Sequence, residues 1–173
     1  MQITGADYMR FILIDRIVDI HPAKQIRAVK SVSLAEEYLA DHFPTFPVLP
    51  GVLLLEGLVE AASWLVRNNH DFAHSMILLE NARNVKYKSF LAPGHTIEYT
   101  VNVKTLEQNI SSFTGFGISD NEKIVDASFG LRHFNLAEKN AAMVDVDAKI
   151  IENMKNRWNI LTQQTTIMAG QNS

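Results

Sequence analysis

Apolar and polar residues alternate through much of this chain. Between Thr96 and Leu106, Ile97, Tyr99, Val101 and Val103 interleave with Glu98, Thr100, Asn102 and Lys104, the period-two pattern of a half-buried strand. The same rhythm predicts strands over Gln25 to Val32, Asn84 to Phe90, Ile110 to Ile118 and Lys123 to Phe134. Apolar runs predict two more, Phe11 to Ile20 and Met76 to Leu79. Turns fall at His21-Pro22-Ala23 and Pro93-Gly94, where proline and glycine set the backbone.

Val52 to Asn68 departs from that rhythm. Val52, Leu55, Val59, Ala62 and Val66 make one helical face, and Leu53, Leu54, Leu58, Ala61 and Leu65 make another. A helix apolar on nearly all sides is expected to be enclosed. Leu34 to Ala40 predicts a short helix with Ser33 as its N-cap. Ile150, Ile151, Met154, Trp158 and Leu161 predict an amphipathic helix in the tail, and Thr162 to Ser173 a polar, frayed end. Five or six mainly antiparallel strands on both sides of one buried helix give an α+β fold, with a curved sheet wrapped around that helix.

Composition narrows the function classes. The 173 residues are 47% hydrophobic and 20% charged, which suits one globular core. The net charge of −3 gives no pull toward nucleic acid or anionic membrane. There is no cysteine, hence no disulfide, thiolate nucleophile or thiolate metal site. The six histidines form no metal-ligand spacing; His70 and His74 read as a polar surface feature. Met1 to Arg10 lacks a signal-peptide pattern, and the stretch Val52 to Val66 is interrupted by Glu56, Gly57 and Glu60. No membrane insertion and a cytoplasmic location are expected.

The candidate chemistry lies just before and within the buried helix. His42 is followed by Pro44, Pro47, Pro50 and Gly51, then by Glu56 fourteen positions on. A histidine and a glutamate at such a separation are ordinarily a satisfied loop residue and a solvated helix residue. The setting argues otherwise. The loop is stiffened by proline, Gly51 admits close approach to the backbone, and the helix N-terminus offers N–H donors to a carbonyl gaining negative charge. A base, an acid and an anion site then fall in one short segment. Glu60 lies one turn beyond Glu56 with no cation near it in sequence, so the two carboxylates are expected to repel and share a proton. The other reading turns Glu60 toward an arginine across an interface. Arg83, Lys86 and Lys88 form a basic stripe, in most such cases a solvated strand face.

The run His42-Phe43-Pro44 through Pro47, Pro50-Gly51-Val52-Leu53 and Leu55-Glu56 resembles the signature of the β-hydroxyacyl-acyl carrier protein dehydratases of the FabZ/FabA type. Phe11-Ile12-Leu13-Ile14-Asp15-Arg16-Ile17 is similar to that family's first strand, and Val85-Lys86-Tyr87 with Pro93-Gly94 to a later strand and turn. The resemblance covers about residues 8 to 135. It implies a hot-dog fold over residues 1–136, with 137–173 as an extension that has no counterpart. It further implies a homodimer, or a trimer of dimers, with His42 and Glu56 contributed by different subunits. His42 would be the base, Glu56 the acid and Gly51 the donor to the thioester carbonyl. Phe43, Pro50 and Val52 would line the acyl tunnel, with Glu60 behind the acid. Acyl carrier protein would be the partner, docked by Arg83, Lys86 and Lys88, and no metal or organic cofactor would take part.

Two departures stand out. Glu60 occupies a position that is usually glutamine in the family, and Asp41 one that is usually glycine, which places a negative charge beside the base. Three competing readings remain open at this point. A CoA-thioester hydratase would have Asp, Asn and His where this chain has only Glu37 five positions before His42. A thioesterase gives no reason for the intact His-to-Glu loop. A non-catalytic acyl-thioester-binding subunit would carry Glu60 and Asp41 as its marks.

Overall fold

The computed structural model describes residues 12–167. Seven strands form one sheet: β1 Arg16–His21, β2 Gln25–Ser31, β3 Met76–Tyr87, β4 Thr96–Leu106, β5 Ile110–Ser119, β6 Glu122–Phe134 and β7 Thr166–Ile167. Their spatial order is β3-β6-β5-β4-β2-β1-β7. Every pairing is antiparallel except that of β7 with β1. Among the described residues three α-helices accompany it: α1 Tyr38–Asp41, α2 Gly51–Asn69 and α3 Val144–Leu161. Helix α2 contacts β2, β3, β4, β5 and β6, so the sheet curls around it. No helix among the described residues is long and apolar enough to cross a membrane.

The alternation read in the sequence decides which face turns inward. On β2, Ile26, Ala28 and Lys30 are buried between partly exposed neighbours. Lys30 lies on the core face because its ammonium meets Glu36 at 2.7 Å and Asp15 at 3.4 Å. On β4, Ile97, Tyr99 and Val101 are fully buried against Leu54, Leu58, Ala61 and Leu65 of α2, all in one core. The helix runs close to β4 because position 57 has no side chain. A β-carbon on Gly57 would stand 2.7 Å from Cε2 of Tyr99 and overlap its phenol.

Several elements differ from the sequence reading. Phe11 itself lies outside the described residues. The first strand starts only at Arg16, because the backbone before it crosses α2 and the Leu13 N–H donates to Glu60. The expected Leu34-to-Ala40 helix is a turn followed by the short α1; Ser33 accepts from the Ala35 N–H and caps that turn instead. Met76 to Leu79 and Asn84 to Tyr87 are parts of one strand, β3, joined through irregularities after Leu79 and Arg83; the expected strand to Phe90 ends three residues early, at Tyr87. Thr166 and Ile167 extend the sheet edge beside Asp19 and Ile20, and residues 168–173 lie outside the described residues. One side of the N-terminal part of α2 is not enclosed: Val52 is 69% exposed and Glu56, one turn on, is exposed.

Helix α3 closes the far side of α2. Trp158 meets Trp64 at 6.1 Å and Phe72 at 6.0 Å between ring centroids. The buried Asp147 carboxylate accepts from the Leu136 and Ala137 N–H groups at 2.9 and 2.8 Å and from the Ser75 hydroxyl. Burial pushes this carboxyl up, but the three donors outweigh it and hold it below the usual range.

At the C-terminal end of α2 the histidines that read as a surface feature are packed instead. His70, His74 and His133 lie 5.5 to 5.7 Å apart between centroids, and His133 is fully buried. Its Nδ1–H donates to the Gln108 carbonyl at 3.0 Å, so Nε2 accepts from the Ser111 hydroxyl at 2.8 Å. Burial, and then the neighbouring histidines and Arg67, hold His74 and His133 below the ordinary imidazole range. A base depressed in the folded state binds protons first in the unfolded chain. Stability is therefore complete at pH 7 and is expected to fall as the pH drops through the ordinary imidazole value toward the lower folded one. Urea unfolding of wild type and His74→Gln between pH 7.5 and pH 5 checks this. The wild type should lose stability more steeply than the variant, and identical slopes would refute the cluster's role.

Candidate active site

The loop ahead of α2 is built by its own backbone. Phe43 and Phe46 exchange N–H···O=C bonds around Pro44 and Thr45, and the Val48 N–H donates to the His42 carbonyl at 3.1 Å. The Leu49 N–H donates to Leu91 at 2.8 Å, tying the loop to the segment after β3. Pro50, with extended ψ, is the N-cap; its carbonyl accepts from Leu53 and Leu54 and starts the helix. Gly51 lies flat against Tyr87, whose ring atoms stand 3.4 Å from where a β-carbon would be.

This loop fixes the chemistry of His42. The ring Nδ1 lies 3.1 Å from the Val48 carbonyl. A carbonyl only accepts, so Nδ1 carries the hydrogen and Nε2 keeps its lone pair. The half-buried imidazole is thus set to act as a base through Nε2. Phe43 packs on the ring at 4.3 Å between centroids, and on the loop, α2, β3 and the segment after it Phe43, Phe46, Val52, Tyr87 and Phe90 are each about half exposed or more, with Phe46 edge-on to Phe90. An apolar surface of this extent on one chain is suited to an acyl chain or a second protein surface.

The carboxylates sit along α2. Desolvation, and then the charge of Glu60, push Glu56 above the usual carboxylate range. Among the described residues no hydrogen bond or ion pair joins Glu56 to His42 within the chain. Glu60 is more deeply placed and fully engaged: Oε2 accepts from the Leu13 N–H at 2.9 Å and Oε1 from Arg157 Nη2 at 3.1 Å. Its carboxyl is also raised, by burial first, against the opposing pull of Leu13, Arg157, Trp64 and Lys30.

Both Glu60 oxygens are taken by donors, and the arginine it meets, Arg157, belongs to the same chain and not to one across an interface. Arg157 was missed because it is 97 positions from Glu60. One signal was legible: a cation among Met154, Trp158 and Leu161, on the otherwise apolar face of α3. Of the basic stripe, Arg83 and Lys86 are exposed on β3, whereas Lys88 pairs with Asp126 at 3.1 Å.

Comparison with known proteins agrees with this architecture. The family model of the FabA-like domain matches residues 6–128. A 3-hydroxyacyl-[acyl-carrier-protein] dehydratase FabZ from Albidiferax ferrireducens is 35% identical over 120 residues, covering 68% of this chain and 80% of that protein. The FabZ of Fusobacterium nucleatum is 33% identical over 120 residues, covering 69% and 84%. Among solved structures, the dehydratase heterocomplex ApeI:P from Xenorhabdus doucetiae superposes with a TM-score of 0.63 at 16% identity, covering 77% of this chain and 90% of that one. The fold is the hot-dog fold.

Proposed function

The chain belongs to the family of the FabA-like domain, and on that premise we propose that it dehydrates 3-hydroxyacyl thioesters on acyl carrier protein to trans-2-enoyl thioesters. The observation that carries the reading is the tautomer of His42, held by Val48 with the Nε2 lone pair free. Nε2 takes the proton from C2 of the substrate. The C–H electrons become the C2=C3 double bond as the C3–O bond breaks, and Glu56 delivers the proton with which the hydroxyl leaves as water. The Gly51 N–H donates to the thioester oxygen as it gains charge. The raised pKa of Glu56 suits an acid that must hold a proton.

The exposed Val52, Glu56 and Tyr87 support a site completed by a second copy, with His42 of one subunit facing Glu56 of the other. Phe43, Pro50 and Val52 would then line the acyl channel. Residues 1–136 form the catalytic unit in this reading and 137–173 an appended segment. Incubation with 3-hydroxyacyl thioesters on carrier protein and on N-acetylcysteamine should yield the 2-enoyl product. Release of free thiol would replace the reading by thioester hydrolysis, and absence of turnover on either carrier would end the enzyme reading.

Arg83 and Lys86 are placed to meet an acidic carrier, with Lys88 partly neutralised by Asp126. Lys86→Glu with Lys88→Glu is expected to raise KM severalfold for the carrier-bound substrate and to leave the small-thiol substrate unchanged. Equal changes for both would remove the docking role.

A further inference from the structure

The segment beyond the matched family residues reaches back into the carboxylate pair. Glu60 has an N–H donor on each oxygen, Leu13 on one and Arg157 on the other. A proton on either oxygen would face a donor and compete with it. The neighbours reinforce that bias. Trp64 turns its indole N–H toward Glu60 out of hydrogen-bonding geometry. Lys30 of β2 acts from further off because Glu36 and Asp15 hold it. The Tyr99 phenol of β4 feels the Glu60 charge. Against these stands Glu56, one helical turn earlier, with no cation paired to it among the described residues.

We infer that Arg157 of α3 is a positioning residue for the acid: by pairing with Glu60 it fixes Glu60 as the anion of the pair and leaves the proton on Glu56. This rests on the dehydratase reading, in which Glu56 must donate. It turns the departure from the family's glutamine into a two-residue device. Glutamine needs no counter-charge; a glutamate here does, and the C-terminal helix supplies it. The helix is docked independently of the pair by Trp158, Met154 and Leu161 against the core, so removing the guanidinium is not expected to undock it.

The test uses the full chain with 13C-labelled glutamate carboxyls, together with kcat/KM against pH. The limb that belongs to Glu56 is identified by its loss in Glu56→Gln. Arg157→Gln is expected to move the Glu60 midpoint up by about one pH unit or more and, because the proton then passes to Glu60 and its charge no longer acts on Glu56, to move the Glu56 limb downward. Glu60→Gln, which removes the neighbouring anion, is expected to move the Glu56 midpoint down by about one unit. Arg157→Lys should restore most of the wild-type behaviour. In the Glu60→Gln background, Arg157→Gln should lose at least half of its effect, because its partner is gone. Trp158 fluorescence reports whether α3 stays docked; if it does not, Glu60→Gln and Arg157→Lys decide. An unmoved Glu60 midpoint in docked Arg157→Gln, an unmoved Glu56 midpoint in Glu60→Gln, or full additivity would each overturn the inference. The carboxyl titrations need no turnover, so a wild type that dehydrates nothing would overturn the function and still leave this proton assignment decided.

Discussion

His42→Ala is expected to lower kcat for 3-hydroxyacyl thioester dehydration by at least about 100-fold, the usual contribution of a positioned general base. KM should change little, since the alanine removes the proton acceptor and not the apolar surface around it. The loop should persist. Its turn is closed by backbone bonds between Phe43 and Phe46 and between Val48 and His42, and the one side-chain bond lost, to the Val48 carbonyl, contributes about 1 kcal/mol. Glu56→Gln should cost a similar factor, because an amide occupies the same volume and has no proton to yield. Near-normal kcat in either well-folded variant would show that the role has been given to the wrong residue.

Gly57→Ala is expected to destabilise the protein by about 1–3 kcal/mol, the range for overpacking a core. The sign is informative, because alanine is the better helix former by about 0.5–1 kcal/mol. A β-carbon at position 57 overlaps the Tyr99 phenol, and Tyr99 is fully buried with the core on its other sides. Either α2 lifts off β4 or the ring leaves its place. Tyr99→Leu removes the obstructing ring, so the double variant should recover part of the loss relative to the sum of the two single changes. Urea unfolding of the four proteins checks this. A stabilised Gly57→Ala would mean that helix and strand are not in close contact.

What was legible came from local rules. Strand β4 was read with its observed bounds because strict alternation admits one register against a core. Helix α2 was read to within a residue, because proline and glycine mark its start and the apolar run has helical length. His42, Gly51 and Glu56 stood out for the same reason: one short, proline-stiffened segment holds all three. The histidines failed that test. His133 is separated from His70 by more than sixty positions, and no local pattern announces that β6 and the end of α2 meet.

The sequence by itself determined the α+β class, the buried helix and the residue types available for acid–base chemistry, since periodicity and turn chemistry act over a few positions. Only the tertiary structure decided the state of those groups. Val48 set the tautomer of His42. The Leu13 N–H and the return of α3 with Arg157 gave each oxygen of Glu60 a donor. Each of these depends on which distant backbone or side-chain group comes within about 3 Å, because hydrogen bonds and desolvation are short-ranged in space and indifferent to separation along the chain.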